Sequence, residues 1–385
     1  MKAINFIHFL KNLFHINKNR YEYKNKNNQK WVYISYIPRV YYKKKDSPWF
    51  FRHQNRREAL VIGEVFKKLG YNYTMATYNK KEECSDRKYD LIFGLEPNFV
   101  TMAQRNPQAL KIFYATEAFS EFQSQAVKTR TDEFNRTHQV NLSYSRSKPY
   151  NQSYDLSDAI FQIGTQITIE TYPEKYRKKI TLINQSSNNL NSITPEQKHS
   201  SFKRNEFIWL GSDGSLLKGL DLVLDFFLKN PQLKLHIAGK VDEDFLAYYK
   251  PLLEKAPNIK FYGFLDLQGE IFKEIIKKIT FNIFPSASEG GCPGSVIALM
   301  YEGVIPVVSK WGSFEDISDH GYMLEDLSMN SIEKAIHWTN SLSDEHIKDL
   351  ITRNMQYARS RWNLEGFKVS FENSLKQFLQ QNKVV

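Results

Sequence analysis

The sequence predicts an α/β protein of two doubly wound domains in tandem, facing a cleft between them. Three observations predict it. The chain has 385 residues, and at roughly 100–200 residues per domain two domains is the leading count. Apolar runs of strand length alternate with segments of helical spacing, the pattern of a parallel sheet covered on both faces. The alternation stops at a polar stretch without periodicity, 184–204, and then restarts. We read that stretch as an interdomain linker.

Residues 15–30 (HINKNRYEYKNKNNQK) are polar and of low complexity, and read as a mobile linker. From Trp31, WVYISYI reads as a buried strand. Residues 54–69 carry apolar side chains at helical spacing, and Gly70 is a stop signal. YNYTMATY, YDLIFG and LKIFYAT are three further strands. A polar helix is expected to start at Glu117, and AIFQIG and KKITLIN complete the first set of strands.

In the second set, FIWLG is a strand, LLKGLDLVLDFFLKN a helix and LKLHIAG a strand. DEDFLAYYKPLLEKA is a helix that Pro251 is expected to kink or split. NIKFYG, TFNIFPS and VIPVVS are strands, with LQGEIFKEIIKKI and GSVIALMYEG as the helices between them. Two helical patterns close the chain, around 330–359 and 364–381. In the last, Phe367, Phe371, Leu375 and Phe378 form one apolar stripe.

Composition narrows the class. Hydrophobic residues are 41% and charged residues 25%, so the chain has enough apolar material for two cores. The two cysteines, Cys84 and Cys292, argue against a disulfide framework or a zinc cluster and fit a reducing, cytoplasmic compartment. No run of 18 apolar residues occurs, and Met1–Leu13 is a poor signal peptide, interrupted by His8 and Lys11. Residues 1–45 hold eleven Lys/Arg and one acid, while the other 340 residues hold 42 bases and 41 acids. The excess charge is therefore local and points to an anionic partner. A solvated tail is one reading. Docking of residues 3–14 (AINFIHFLKNLF) on the inner face of an anionic membrane is another, and nucleic-acid binding is the least favoured.

Phe284–Ser309 (FPSASEGGCPGSVIALMYEGVIPVVS) is the most informative stretch. A strand ends, a small-residue loop holds one carboxylate, Glu289, and Gly290, Gly291 and Gly294 lead into a helix near Ser295. A helix start offers free N–H groups and a positive dipole end, which suit a diphosphate. Glycines let the backbone approach a ligand, and a carboxylate can accept hydrogen bonds from sugar hydroxyls. A plain strand–turn–helix connection is the alternative reading.

The stretch resembles the donor-site motif of glycosyltransferase family 4, a large retaining family of GT-B fold. Glu289, Gly290, Gly303, Pro306, Val307 and Val308 match its frame. WLGSDGSLLKGLDLVLDFF resembles the first strand–loop–helix of that family's C-terminal domain, with its lysine–glycine pair at Lys218 and Gly219. In the family the lysine contacts the donor diphosphate. The resemblance covers about 204–325 well. It covers 31–183 by texture, through YATEAFSEFQ and the R-x-x-E-A segment at Arg56. The family's second glutamate, which grips the ribose, falls on Ile297 or Ala298, neither of them acidic, and Glu302 lies a turn further on.

Composition gives a basic, partly disordered N-terminal segment 1–30, and the resemblance implies an acceptor domain 31–203 and a nucleotide-sugar domain 204–363. Helix 364–381 would pack back on the acceptor domain. The catalytic candidates are Glu289, from the matched motif, and Glu117, which follows the fourth strand at its carboxyl edge and could equally serve a helix dipole. Lys218, Gly211, Gly290, Gly291, Gly294 and Ser295 would hold the donor. His53 and Arg130 are acceptor-side candidates, since each lies near a carboxyl strand edge or could meet a phosphate. Cys292 reads as a small loop residue rather than a nucleophile.

The expected activity is transfer of a sugar from a nucleoside diphosphate sugar, of UDP or GDP type, to a glycan or lipid-linked glycan in surface polysaccharide or glycoconjugate assembly. No bound cofactor or metal is expected. A non-catalytic GT-B partner subunit that binds glycan or protein is the alternative from another class, and a nucleotide-sugar epimerase on the same fold is a further one.

Overall fold

The computed structural model describes residues 18–44, 46–187 and 193–383, except the side chain of Glu82. The chain divides into two compact units, 1–114 with 152–160, and 115–151 with 161–385. The expected membrane-docking stretch 3–14 lies outside the described residues.

The strands are β1 (Arg20–Tyr23), β2 (Trp31–Tyr36), β3 (Asn72–Thr77), β4 (Leu91–Gly94), β5 (Leu110–Ala115), β6 (Ala159–Ile163), β7 (Ile180–Ile183), β8 (Lys203–Gly211), β9 (Lys234–Gly239), β10 (Ile259–Phe261), β11 (Ile279–Phe284), β12 (Ile305–Ser309) and β13 (Tyr322–Leu324). Helices of seven or more residues are α1 (Asn55–Lys68), α2 (Asn98–Arg105), α3 (Ser120–His138), α4 (Leu220–Lys229), α5 (Glu243–Leu253), α6 (Glu270–Ile276), α7 (Gly294–Tyr301), α8 (Met329–Ser341), α9 (Asp344–Arg361) and α10 (Leu364–Gln381).

One sheet has the order β1-β3-β2-β4-β5-β6-β7 and the other β10-β9-β8-β11-β12-β13. The second sheet's recorded pairings are all parallel. Its strands are apolar on both faces, as a sheet covered by helices requires: every residue of β11 is buried. Trp209 and Phe284 stack near one end of this core at 5.9 Å. In both sheets the strand order reverses beside the first parallel strand, between β2 and β4 and between β8 and β11. Doubly wound folds bind ligands at the carboxyl ends of the strands at such a switch point.

Several elements differ from the sequence reading, and α2 was not read in it at all. Residues 15–30, read as a linker, contain β1, which pairs antiparallel with β3. Its signal was tyrosine packing rather than aliphatic alternation: Tyr21 stacks on Tyr41 at 3.8 Å and Tyr23 on Tyr73 at 5.4 Å. The linker 184–204 contains a one-turn helix, Pro195–His199, fixed by a reciprocal capping box between Thr194 and Gln197. Pro251 does not split α5, because it lies in the last turn, where little helix remains to lose. The 330–359 pattern is two helices, since Ser343 N-caps α9 through the His346 N–H at 3.1 Å. The three-residue strand β13 was missed for its shortness.

Within the second unit α10 lays Phe371 edge-on against Phe161 of β6, with ring centroids 6.0 Å apart, and Ser370 Oγ accepts the Asn184 N–H at 3.1 Å.

Candidate functional site

The β8–α4 and β11–α7 loops leave adjacent strands, β8 and β11, at their carboxyl ends. Hydrogen bonds stitch them together. The Ala287 N–H donates to Leu217 O at 2.7 Å, and Ser286 Oγ lies 3.4 Å from the same carbonyl. Gly219 takes φ 66°, and a Cβ there would stand 2.3 Å from Pro285 O, so only glycine fits.

α4 begins at Leu220, so Lys218 lies in the turn before the helix rather than in it. Its side chain is buried, with the residue 6% exposed. The ammonium donates to Ser212 Oγ at 2.7 Å and to Ser212 O at 3.3 Å. Burial pulls its pKa down to about 8, against the Glu289 carboxylate, which favours the charged form, and with Arg146, which opposes it. Glu289 itself accepts from Ser286 Oγ at 2.9 Å. A half-buried carboxylate and a buried ammonium thus share one electrostatic environment at the switch point.

The glycines that follow Glu289 are required by close backbone contact. A Cβ on Gly290 would stand 2.6 Å from Glu117 Cα and 2.6 Å from Thr116 O. One on Gly291 would stand 2.6 Å from Gly164 Cα, and Gly291 takes φ 138° besides. Gln185 Nε2 anchors the loop by donating to Cys292 O at 2.8 Å. The loop enters α7 at Gly294, whose side of the helix is only half-buried, as is Ser295. The first intrahelical bond recorded at this end is from the Ile297 N–H to Pro293 O at 3.0 Å. Among the described residues no acceptor takes the N–H of Gly294 or Ser295. These two donors sit at the positive end of the helix dipole.

The β8–α4 loop spends its N–H groups differently. Asp242, the N-cap residue of α5, accepts from the Gly214 N–H at 3.0 Å and the Ser215 N–H at 2.6 Å. Gly211 closes β8 in tight contact with Trp209 and Gly239, a packing role.

Two sequence-selected residues are held otherwise than expected. α3 starts at Ser120, not Glu117, because Phe119 is non-helical and donates its N–H to Thr171 Oγ1 at 3.2 Å. Glu117 has an ion pair on each oxygen, Arg146 Nη2 at 2.7 Å on one and Lys148 on the other. Both carboxylate oxygens are thereby engaged by cations. Arg130 is 4% exposed, and its guanidinium is committed to Asp221 and Glu133, at 2.5 Å each. It thus forms a buried ion-pair network with both acids.

Ile297 and Ala298 are 0% and 4% exposed, in the core that α7 covers. Glu302 is likewise buried and accepts the Ile193 N–H at 3.2 Å, so it does not stand in for the absent glutamate. Burial pushes the Cys292 thiol well up, in keeping with a packed loop residue. His53 belongs to the first unit, exposed at the end of a short helical turn after β2. Among the described residues no group of three or more His, Cys, Asp or Glu is arranged to hold a metal, and no helix is long and apolar enough to cross a membrane.

Sequence reasoning missed Arg146, Lys148, Asp242, Gln185 and Gly164. Gly164 and Gln185 follow strands at their carboxyl ends, a signal that could have drawn attention to them. The others come from loops whose spacing carries no motif.

Residues 204–339, which carry both loops, match the family model described as glycosyl transferases group 1. That match lies wholly within the second unit. The fold as a whole is GT-B. It is similar to Anabaena HepE in complex with UDP-glucose, at 11% identity and a TM-score of 0.58, over 90% of this chain and 99% of that one. It is also similar to HepE in complex with UDP, at 11% identity and a TM-score of 0.58, over 91% and 100% of the two chains. A glycosyltransferase from Rickettsia africae gives 11% identity and a TM-score of 0.52, over 88% and 83%. No curated protein sequence matches the chain.

Proposed function

We propose that this GT-B protein transfers a sugar from a nucleoside diphosphate sugar to a glycan or lipid-linked glycan acceptor, with retention, in surface polysaccharide or glycoconjugate assembly. The observation that carries the reading is the convergence of buried Lys218, Glu289 and the open N–H groups of Gly294 and Ser295 on the carboxyl ends of β8 and β11. Lys218 and the α7 amides would neutralise the departing diphosphate as charge develops on it. Glu289 would accept hydrogen bonds from the donor sugar and orient it. Glu117, held by Arg146 and Lys148, is assigned a positioning role against Gly290. Solved HepE binds UDP and UDP-glucose, which favours a uridine nucleotide without deciding it. Residues 31–203 would form the acceptor domain, and the basic segment 1–45 would dock on the inner face of an anionic membrane.

Calorimetry with UDP, GDP, ADP and CMP, followed by hydrolysis and transfer assays with the matching nucleotide-sugars, tests the reading. Tight binding of one nucleoside diphosphate with turnover of its sugar is the expected result. Absence of binding to any of them defeats it. A second reading, a non-catalytic partner subunit, draws on apolar Ile297 and Ala298 in place of the ribose-gripping acid. Binding without turnover would favour that reading.

A further inference from the structure

The first unit carries a cluster of arginines that the donor chemistry does not use. The segment between β2 and α1 leaves the carboxyl end of β2, beside β4, where that sheet's strand order reverses. Residues 37–57 hold seven Lys/Arg and one acid, Asp46. The two short helical turns Pro38–Tyr42 and Pro48–Arg52 and the first turn of α1 gather three of the arginines. Both turns pack against α1, which brings Arg39, Arg52 and Arg56 to one face, and Arg39 and Arg52 lower the pKa of Arg56, after its own burial. Arg39 and Arg52 are exposed, and Arg56 is half-buried.

Arg56 is held ready rather than neutralised. Its Nη1 donates to Trp49 O at 2.6 Å, and its guanidinium lies 4.1 Å from the centroid of the Trp49 ring. Lys43 Nζ stands 5.8 Å from the same ring. Among the described residues no carboxylate forms an ion pair with Arg39, Arg52 or Arg56. Mutual repulsion of three guanidiniums is a standing cost that a bound oxyanion relieves. Guanidinium forks match phosphate oxygens two at a time, and the half-buried Trp49 offers a flat apolar surface beside them.

We propose that Arg39, Arg52 and Arg56 form a phosphate-binding subsite for the acceptor, so that the acceptor carries a phosphate or diphosphate group next to its sugar. The ligand is a lipid-linked phosphate or a free glycosyl phosphate, since the arginines read the phosphate common to both. This inference rests on the sugar-transfer reading for the word acceptor, and on the first unit alone for the anion.

The test uses the full chain with saturating UDP, which occupies the donor site. Inorganic pyrophosphate, geranyl diphosphate and glucose 1-phosphate are titrated by calorimetry into wild type, Arg52→Gln, Arg39→Gln and Arg56→Lys. The two exposed positions are substituted without disturbing the fold, which a melting curve checks. Wild type should bind pyrophosphate, and each Gln variant should bind it roughly tenfold or more weakly. Arg56→Lys keeps the charge and loses the fork, so it should also bind more weakly. Tighter geranyl diphosphate binding marks a lipid-linked acceptor, and tighter glucose 1-phosphate binding a free one. Equal pyrophosphate affinity in wild type and the Gln variants overturns the proposal. So does arginine-dependent binding to phosphatidylglycerol vesicles with no response to soluble phosphates, which would make the face a membrane surface. Failure of UDP, GDP, ADP and CMP alike to bind defeats the sugar-transfer reading, while the pyrophosphate comparison between wild type and the Gln variants still decides the arginine site.

Discussion

Both loops of the candidate donor site leave adjacent strands of one parallel sheet, yet they dispose of their polar groups in opposite ways. After β8 the loop is closed on itself: Asp242 takes the Gly214 and Ser215 amides, and the positive charge comes from one buried side chain, Lys218. After β11 the loop is open: the amides of Gly294 and Ser295 have no acceptor among the described residues, and the charged side chain, Glu289, is negative. The first loop is a rigid holder for a cation, and the second a backbone cradle with a carboxylate beside it. Anion binding at a sheet edge therefore needs no repeated motif, because a desolvated ammonium and a helix N-terminus do similar work. The difference predicts that side-chain substitutions should act on the first loop and backbone crowding on the second.

Glu289 should give the largest effect. Glu289→Gln keeps the shape and removes the charge that faces the donor sugar. Loss of about 3–4 kcal/mol of transition-state stabilisation is expected, or about 10²–10³ in kcat/KM. The melting temperature should barely move, because among the described residues Ser286 is its one hydrogen-bond partner. Wild-type kinetics in this variant would remove the carboxylate from the site. A lowered melting temperature with unchanged kinetics would make it structural.

Lys218→Ala comes next. Loss of a charged hydrogen bond should weaken nucleoside diphosphate binding by roughly 1.5–3 kcal/mol, read by calorimetry. Unchanged affinity would leave the open α7 loop as the sole anion site and break the division of labour between the loops.

Gly290→Ala tests the cradle. Its Cβ would come within 2.6 Å of backbone atoms at residues 116 and 117, where nothing flexible can yield. A destabilisation of about 1–3 kcal/mol is expected, typical of overpacking, together with weaker donor binding. A melting curve that matches wild type would show that the loop stands clear of Glu117 in solution.

The parts of this site that were legible in the sequence are the local ones. Strand ends, helix starts, Lys218 and the Glu289–Gly290–Gly291 run sit in contiguous stretches whose periodicity and glycine content carry meaning. What was not legible depends on chain segments far apart. Glu117 looked like a helix-start acid, and only the approach of Arg146 and Lys148 turns it into an ion-paired one. Arg130 looked free until Asp221, 91 residues away, closed on it. The reason for Gly290 was read as ligand approach, whereas the nearest neighbour is the backbone of residues 116–117. β1 was hidden because its burial comes from tyrosine stacking within a lysine- and asparagine-rich stretch.

The smallest effect should be the dependence on pH. Burial sets the Lys218 pKa at about 8 in the free protein. Binding a diphosphate favours the ammonium, so the complex holds that proton more tightly than the free protein does. Affinity should then fall by about tenfold between pH 7 and pH 9, while the phosphate itself stays ionised. The contribution of Lys218 to stability runs the other way. Its folded pKa lies below the unfolded value near ~10.4, so the unfolded chain holds the proton more tightly between the two. That contribution is complete above ~10.4 and is lost as pH falls through about 8. Raising the pH therefore weakens the donor complex while it relieves the buried charge. Lys218→Met should abolish both trends, seen as a flat calorimetric Kd and a smaller rise in stability across this window. A pH-dependent Kd that survives in Lys218→Met would assign the titration to another group and return the cation's role to the α7 amides.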